Sequence, residues 1–121
     1  MATTPESTKN KIRESLGLIP ELPVALVYYE SETQYEFLAM LPQLAESYYR
    51  LIIVPATPIA EKQLHTVISG FLQQSGSIIG GWNLEGAADT IIAFRYSPAI
   101  SGKNAQIVDP LGRWLSQELA S

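Results

Sequence analysis

A chain of 121 residues, 46% of them apolar, is long enough to bury one core and too apolar to stay disordered. It has no cysteine, which excludes disulfides, thiolate metal sites and cysteine nucleophiles together. Its net charge is −4 and its eight basic residues are scattered, so it lacks the concentrated positive surface that nucleic-acid binding needs.

Only Lys9, Lys11 and Arg13 lie close together, and Glu6 and Glu14 share their segment. No apolar run reaches membrane-spanning length, and the first residues lack a signal-peptide core. The expectation is a soluble, cytoplasmic protein with no membrane or nucleic-acid partner. Charged residues make up 17%, below the roughly 25% of an average soluble domain. The surface therefore contains neutral or apolar stretches. They are read either as a Tyr-, Ser- and Gln-rich coat or as a contact surface for another protein or a second copy.

Three pairs punctuate the chain: Thr4-Pro5, Thr57-Pro58 and Asp109-Pro110. Each reads as an N-cap followed by a first helical residue, where proline's missing N–H costs nothing. The first helix runs from Pro5 to Leu16 and stops at Gly17. Its apolar content is thin, which predicts an outer position. Pro20 to Pro23 is an extended connector, because residues before proline avoid the α region. Val24 to Tyr29 is apolar on both faces, the pattern of a central strand.

Ser31 and Gln34 form a capping box for a second helix with Phe37, Leu38, Leu41, Leu44, Ala45 and Tyr48 as its buried stripe. Pro42 inside it predicts a kink or a break. A second buried strand covers Arg50 to Pro55. The third helix begins at Thr57-Pro58, presents Leu64, Val67, Ile68, Phe71 and Leu72, and ends at Gly76. Alternation from Ile78 to Glu85 and a returning segment Thr90 to Tyr96 predict a hairpin joined by a turn at Glu85–Asp89. Ser97 to Val108 reads as a long loop, and a last helix from Pro110 carries Leu111, Trp114, Leu115 and Leu119. The order is α-β-α-β-α-β-β-α over residues 1–121, taken as one small α/β domain. A mixed sheet of about four strands is flanked by helices, and its first two strands are parallel with right-handed crossovers.

No catalytic constellation emerges. Gly76, Gly80 and Gly81 do not stand between a strand and a helix as a phosphate loop requires; Gly76 reads as a helix cap, and Gly80 and Gly81 as a bulge or a close backbone approach. His65, the only histidine, has Glu61 as its one partner at helical spacing, too few for a metal. Glu30, Glu32, Glu36 and Glu46 read as solvated acids around the second helix, with Glu30 and Glu32 near its positive N-terminus and Glu32 and Glu36 as i,i+4 neighbours on a solvent face. No cofactor is expected.

Two surfaces remain. The leading reading is a non-enzymatic interaction, assembly or regulatory domain, expected to be a homo-oligomer or to bind a protein partner through Trp82, Asn83, Tyr96, Lys103 and Asn104 on the hairpin and the following loop. Tyrosine and tryptophan are the usual anchors of protein contacts. The pairs Tyr28-Tyr29 and Tyr48-Tyr49 are each expected to bury one ring and expose its neighbour. The alternative is small-molecule or anion binding by Tyr29, Glu30, Ser31 and Thr57, at the carboxyl ends of the first two strands where helix N-termini converge. Size and acidity alone also allow an inhibitor or immunity-type partner of a basic protein.

Overall fold

The computed structural model describes residues 5–103, 105–108 and 114–116. Helix α1 (Pro5–Ser15) leads through a connector to strand β1 (Val24–Tyr29), helix α2 (Gln34–Ser47), strand β2 (Arg50–Pro55), helix α3 (Pro58–Ser75) and strand β3 (Ile78–Ile79). A 3₁₀ segment, Trp82–Ala87, then leads to β4 (Thr90–Ala93), and a 3₁₀ turn, Pro98–Ile100, to β5 (Ala105–Val108) and β6 (Trp114–Ser116). The sheet runs β3-β2-β1-β4-β5-β6, with the first five strands parallel and β6 antiparallel to β5. This is the small α/β domain expected.

The connectivity decides which face each helix covers. From β1 through α2 to β2, and through α3 to β3, the chain moves steadily toward one edge. Right-handed crossovers keep α2 and α3 on the same face. It then returns past β2 and β1 to lay down β4, so the connection Trp82–Ala87 falls on the opposite face. The side chains sort accordingly. Ala25, Val27, Tyr29, Leu51, Ile53 and Ile92 pack under Phe37, Leu41 and Leu44 of α2 and Leu64 and Ile68 of α3. Val24, Leu26, Tyr28, Ile52 and Val54 face Leu18, Ile100 and the half-buried Ile12, Leu16, Trp82 and Leu84. All six residues of β1 are buried, as a strand covered on both sides requires.

Helix α1 is tied in more firmly than its polar sequence predicts. The Arg13 side chain is 2% exposed. Its Nε donates to Ala87 O at 2.7 Å, Nη1 to the carbonyls of Pro20 and Leu22, and Nη2 to Asp89 Oδ2 at 2.7 Å. Asp89 also accepts from Lys9 Nζ at 2.9 Å and from Val24 N at 3.0 Å. One guanidinium thus joins helix, connector, 3₁₀ segment and the start of β1. Gly17 (φ 77°) and Gly76 (φ 71°) end α1 and α3 in the left-handed region, as their places in the sequence predict.

Several expectations are corrected. There is no hairpin between Ile78 and Tyr96: β3 and β4 lie on opposite sides of the β2–β1 pair, and the alternation past Ile79 is a 3₁₀ segment. Among the described residues the sheet has six strands rather than four, because the supposed loop Ser97–Val108 contains a 3₁₀ turn and β5, and β6 follows it. Trp114 and Leu115, assigned to a last helix, form β6, while the proposed cap at Asp109-Pro110 lies outside the described residues. The capping box fails. Ser31–Thr33 is a 3₁₀ turn, α2 starts at Gln34, and its N-cap Thr33 makes no side-chain cap bond but donates from Oγ1 to Glu30 O at 3.2 Å. Pro42 sits inside a continuous α2, whereas the non-helical residue is Ile68 in α3. Val67 is exposed, outside the stripe of Leu64 and Ile68, and Tyr28 and Tyr29 are both buried because both faces of β1 are covered.

Candidate functional site

In an open parallel sheet, ligands sit outside the carboxyl ends of the strands, at the place where the strand order reverses. Here that place is between β1 and β4, and it is filled by protein. Glu30, directly after β1, is buried. Arg95, two residues past β4, donates from Nε to Glu30 Oε1 at 3.0 Å and from Nη2 to Oε2 at 2.9 Å. This two-pronged geometry matches the guanidinium fork to the carboxylate. Nη2 also lies 3.5 Å from Glu32 Oε2. Hydrogen bonding to Glu30, and then its charge, hold Arg95 above its ordinary pKa. Burial pushes the neighbouring Tyr28 hydroxyl up, the charge of Glu30 adds to this, and the Ser97 side chain opposes it by hydrogen bonding. The reversal point is therefore a closed ion pair.

An open cleft lies one strand pair away, at the carboxyl ends of β2 and β3. It has a volume of about 470 Å³ and is lined by Pro55, Ala56, Thr57, Pro58, Glu61, Gly80 and Gly81. Thr57 is the N-cap its sequence predicts: Oγ1 accepts from Ala60 N at 3.1 Å and its carbonyl from Glu61 N at 3.0 Å. Pro58 has no N–H to offer. Ala56 N donates to Tyr29 O and Gly80 N to Ile53 O. Most donors that an anion would use are already engaged, and among the described lining residues the only charged side chain is an acid, Glu61.

Around this edge stand large apolar side chains in water. Tyr35, in the first turn of α2, is 89% exposed; Ile59, in the first turn of α3, is 69% exposed; Tyr96, just past β4, is 49% exposed. Each follows the carboxyl end of a different parallel strand. A smaller hollow of about 250 Å³ lies beside Gln34, Tyr35 and Leu38.

The residues singled out from sequence are distributed over this geometry. Trp82 is not on a hairpin. Its ring stacks on Tyr28, with centroids 5.6 Å apart at 27°, and Lys103 Nζ covers it at 4.4 Å from the ring centroid. Lys103 also donates to Glu85 Oε1 at 2.6 Å. Trp82 and Lys103 therefore meet, with Asn83 exposed beside them, but the cluster is closed by its own contacts. Tyr96 stands exposed just past β4, and Asn104 lies outside the described residues.

Of the ligand set, Thr57 lines the cleft and Glu30 is held by Arg95. Tyr29 is a core residue, edge-on to Phe37 and donating to Gln63 Oε1 at 3.1 Å; burial raises its pKa. Ser31 stands in the 3₁₀ turn before α2.

The sequence reading missed Tyr35, Ile59 and Arg95. Tyr35 and Ile59 fall off the apolar stripes of their helices, a signal that was present. Arg95 becomes meaningful only once β4 is placed beside β1.

His65 is exposed, and no group of three potential metal ligands occurs among the described residues. No helix among them is long and apolar enough to cross a membrane. Compared with protein-family models, with curated proteins and with solved structures, the chain matches none.

Proposed function

We propose that this chain is a non-enzymatic binding domain that works through protein contacts, with the carboxyl edge of its sheet as the docking surface. The observation that carries the reading is the exposure of Tyr35, Ile59 and Tyr96 around that one edge. Aromatic side chains and arginine are the usual energetic centre of protein interfaces, and Tyr35 and Tyr96 stand on the same edge as the half-exposed Arg95. The low charge content, 17%, supports it, and the lack of cysteine fits a reducing, cytoplasmic setting. Trp82 packs over Tyr28 and Lys103 over Trp82, so the proposed contact is centred on Tyr35, Ile59 and Tyr96.

The test is a photoreactive p-benzoylphenylalanine in place of Tyr35 or Ile59, in cells expressing the chain, with the same group at exposed Ser69 as control. The expected result is a discrete protein adduct from the two edge positions that Tyr96→Ser weakens. Edge positions that label no more specifically than Ser69 would overturn the reading.

The cleft supports a second reading, the binding of a small molecule. Its volume of about 470 Å³ is within the range of ligand sites. With Glu61 as the lining charge, a neutral or cationic ligand fits better than an anion. Native mass spectrometry of the purified protein, with and without Gly81→Leu, tests this through a bound mass that the variant loses.

A further inference from the structure

Strand β3 is one edge of the sheet, and no strand among the described residues pairs with its outer side. Its register sets Ile78 beside Ile52 and Ile79 beside Ile53, and Gly80 N donates to Ile53 O at 3.0 Å. Along a parallel strand, successive residues direct their backbone groups to alternate sides. Ile78 and Gly80 therefore bond toward β2, and the N–H and C=O of Ile79 point outward. Ser77 and Gly81 have the same outward sense, and Gly81 is extended (φ −114°, ψ −176°). Two of their groups are already engaged: Ser77 N donates to Ser75 Oγ at 3.3 Å, and Gly81 O accepts from Leu84 N at 3.0 Å. What the edge offers another chain is Ser77 C=O, Ile79 N–H, Ile79 C=O and Gly81 N–H.

We propose that a second copy of this chain docks on this edge, β3 against β3, antiparallel about a two-fold axis at Ile79. With Ile79 opposite its counterpart, each amide donates to the other's carbonyl. Each Gly81 N–H then meets the Ser77 carbonyl of the other copy, so every offered group has a partner.

Charge favours a second copy over a foreign strand. From Gln63 to Leu84 the sequence has no acidic residue, lysine or arginine, so two molecules of net charge −4 approach here without facing like charges. The lysines and prolines that usually protect an edge are absent from Gly76–Asn83. Antiparallel pairing also sets the amino end of one β3 against the carboxyl end of the other. At the amino end the Arg50 side chain lies against Gly76, where an added Cβ would be 2.6 Å from its Nε. At the carboxyl end Glu61 lines the cleft with Gly80 and Gly81. Opposite charges thus approach on both sides of the axis. The surface is distinct from Tyr35, Ile59 and Tyr96, and a failure here leaves the carboxyl-edge contact standing.

Sedimentation velocity of the full chain at tens to hundreds of micromolar tests the proposal. The expected result is a concentration-dependent species of twice the 13.3 kDa chain mass. Ile79→Pro removes the outward N–H while leaving the bonds to β2, and is expected to give a monomer with an unchanged far-ultraviolet circular dichroism spectrum. A wild-type chain that stays monomeric throughout, or a folded Ile79→Pro variant that still dimerises, would overturn it. If Ile79→Pro does not fold, amide hydrogen exchange of the wild type decides. Protection of Ile79 and Gly81 that rises with concentration supports the pairing, and protection independent of concentration refutes it.

Discussion

Replacing Arg13 by methionine tests whether one buried guanidinium holds the outer layer to the sheet. Methionine keeps much of the stem's apolar length and removes every donor. Three carbonyls, of Pro20, Leu22 and Ala87, lose a partner, and Asp89 loses its nearer cation, at 2.7 Å against 2.9 Å for Lys9. The losses are unequal. Ala87 is fully buried, so its carbonyl bears the full cost of an unsatisfied acceptor, about 1–3 kcal/mol. Leu22 is 37% exposed and water can replace part of its bond. The Asp89 side chain is 33% exposed and keeps Lys9 and Val24 N, so its charge is largely rehydrated.

Together these give a loss of about 3 kcal/mol, at the lower end for breaking a buried ion pair from one side. For a chain of this length that is a fall in Tm of about 10 °C. Urea unfolding followed by circular dichroism at neutral pH measures it through the midpoint, provided the slope is unchanged. A loss below about 0.5 kcal/mol, the range of ordinary surface substitutions, would refute the idea that Arg13 is a structural centre.

Other outcomes follow from the same geometry. Burial alone would raise the Asp89 carboxyl pKa, but hydrogen bonds from Lys9, Val24 N and Arg13 outweigh it and hold the value below 3.8. The stabilisation is then complete above that value and disappears as pH falls through the lower native one. Asp89→Asn should cost stability at neutral pH and almost none in strong acid, measured by urea unfolding across pH. Thr57→Ala should cost about 1 kcal/mol through its lost cap, and Ser31→Ala, whose hydroxyl caps nothing, under about 0.5 kcal/mol in the same assay. Burial raises Tyr28 and Tyr29 above 10.0, so the native state favours their neutral phenols and loses stability as pH rises past that value. Phenolate absorbance should show a late phase that Tyr28→Phe or Tyr29→Phe reduces.

What could be read from sequence were the elements whose signal is local. The two-sided apolar run at Val24–Tyr29, the Thr57-Pro58 start and the glycines after α1 and α3 each have a cause within a few residues, and the structure reproduces them. The errors lie where long-range pairing decides. Ile78–Glu85 alternates like a strand, but after Ile79 the chain must cross the sheet to reach β4, and a 3₁₀ segment spans that path with Trp82 and Leu84 turned inward. Ala105–Val108 looks like loop because only the neighbouring β4 makes it a strand. Ser31 fits a capping pattern, yet Glu30 is drawn into its bond with Arg95, and the turn that follows tightens to 3₁₀. The pair Glu30 and Arg95, 65 positions apart, has no signature in sequence at all.

That pair also bears on the proposed docking surface. A reversal of strand order normally leaves a crevice, because the two connections depart to opposite faces. Here Glu30 and Arg95 close it with two hydrogen bonds of 3.0 and 2.9 Å, and Tyr28 and Trp82 stack beneath on the α1 side. A ligand at that point would have to separate a buried carboxylate from its cation before making any contact of its own. The rim around it carries no such cost. Tyr35, Ile59 and Tyr96 already stand in water, so a partner covering them gains apolar burial without breaking a bond within the domain. Closing the crevice and exposing its rim are thus two sides of one arrangement, and both support the proposed contact with a broad partner on this edge over a small ligand inside it.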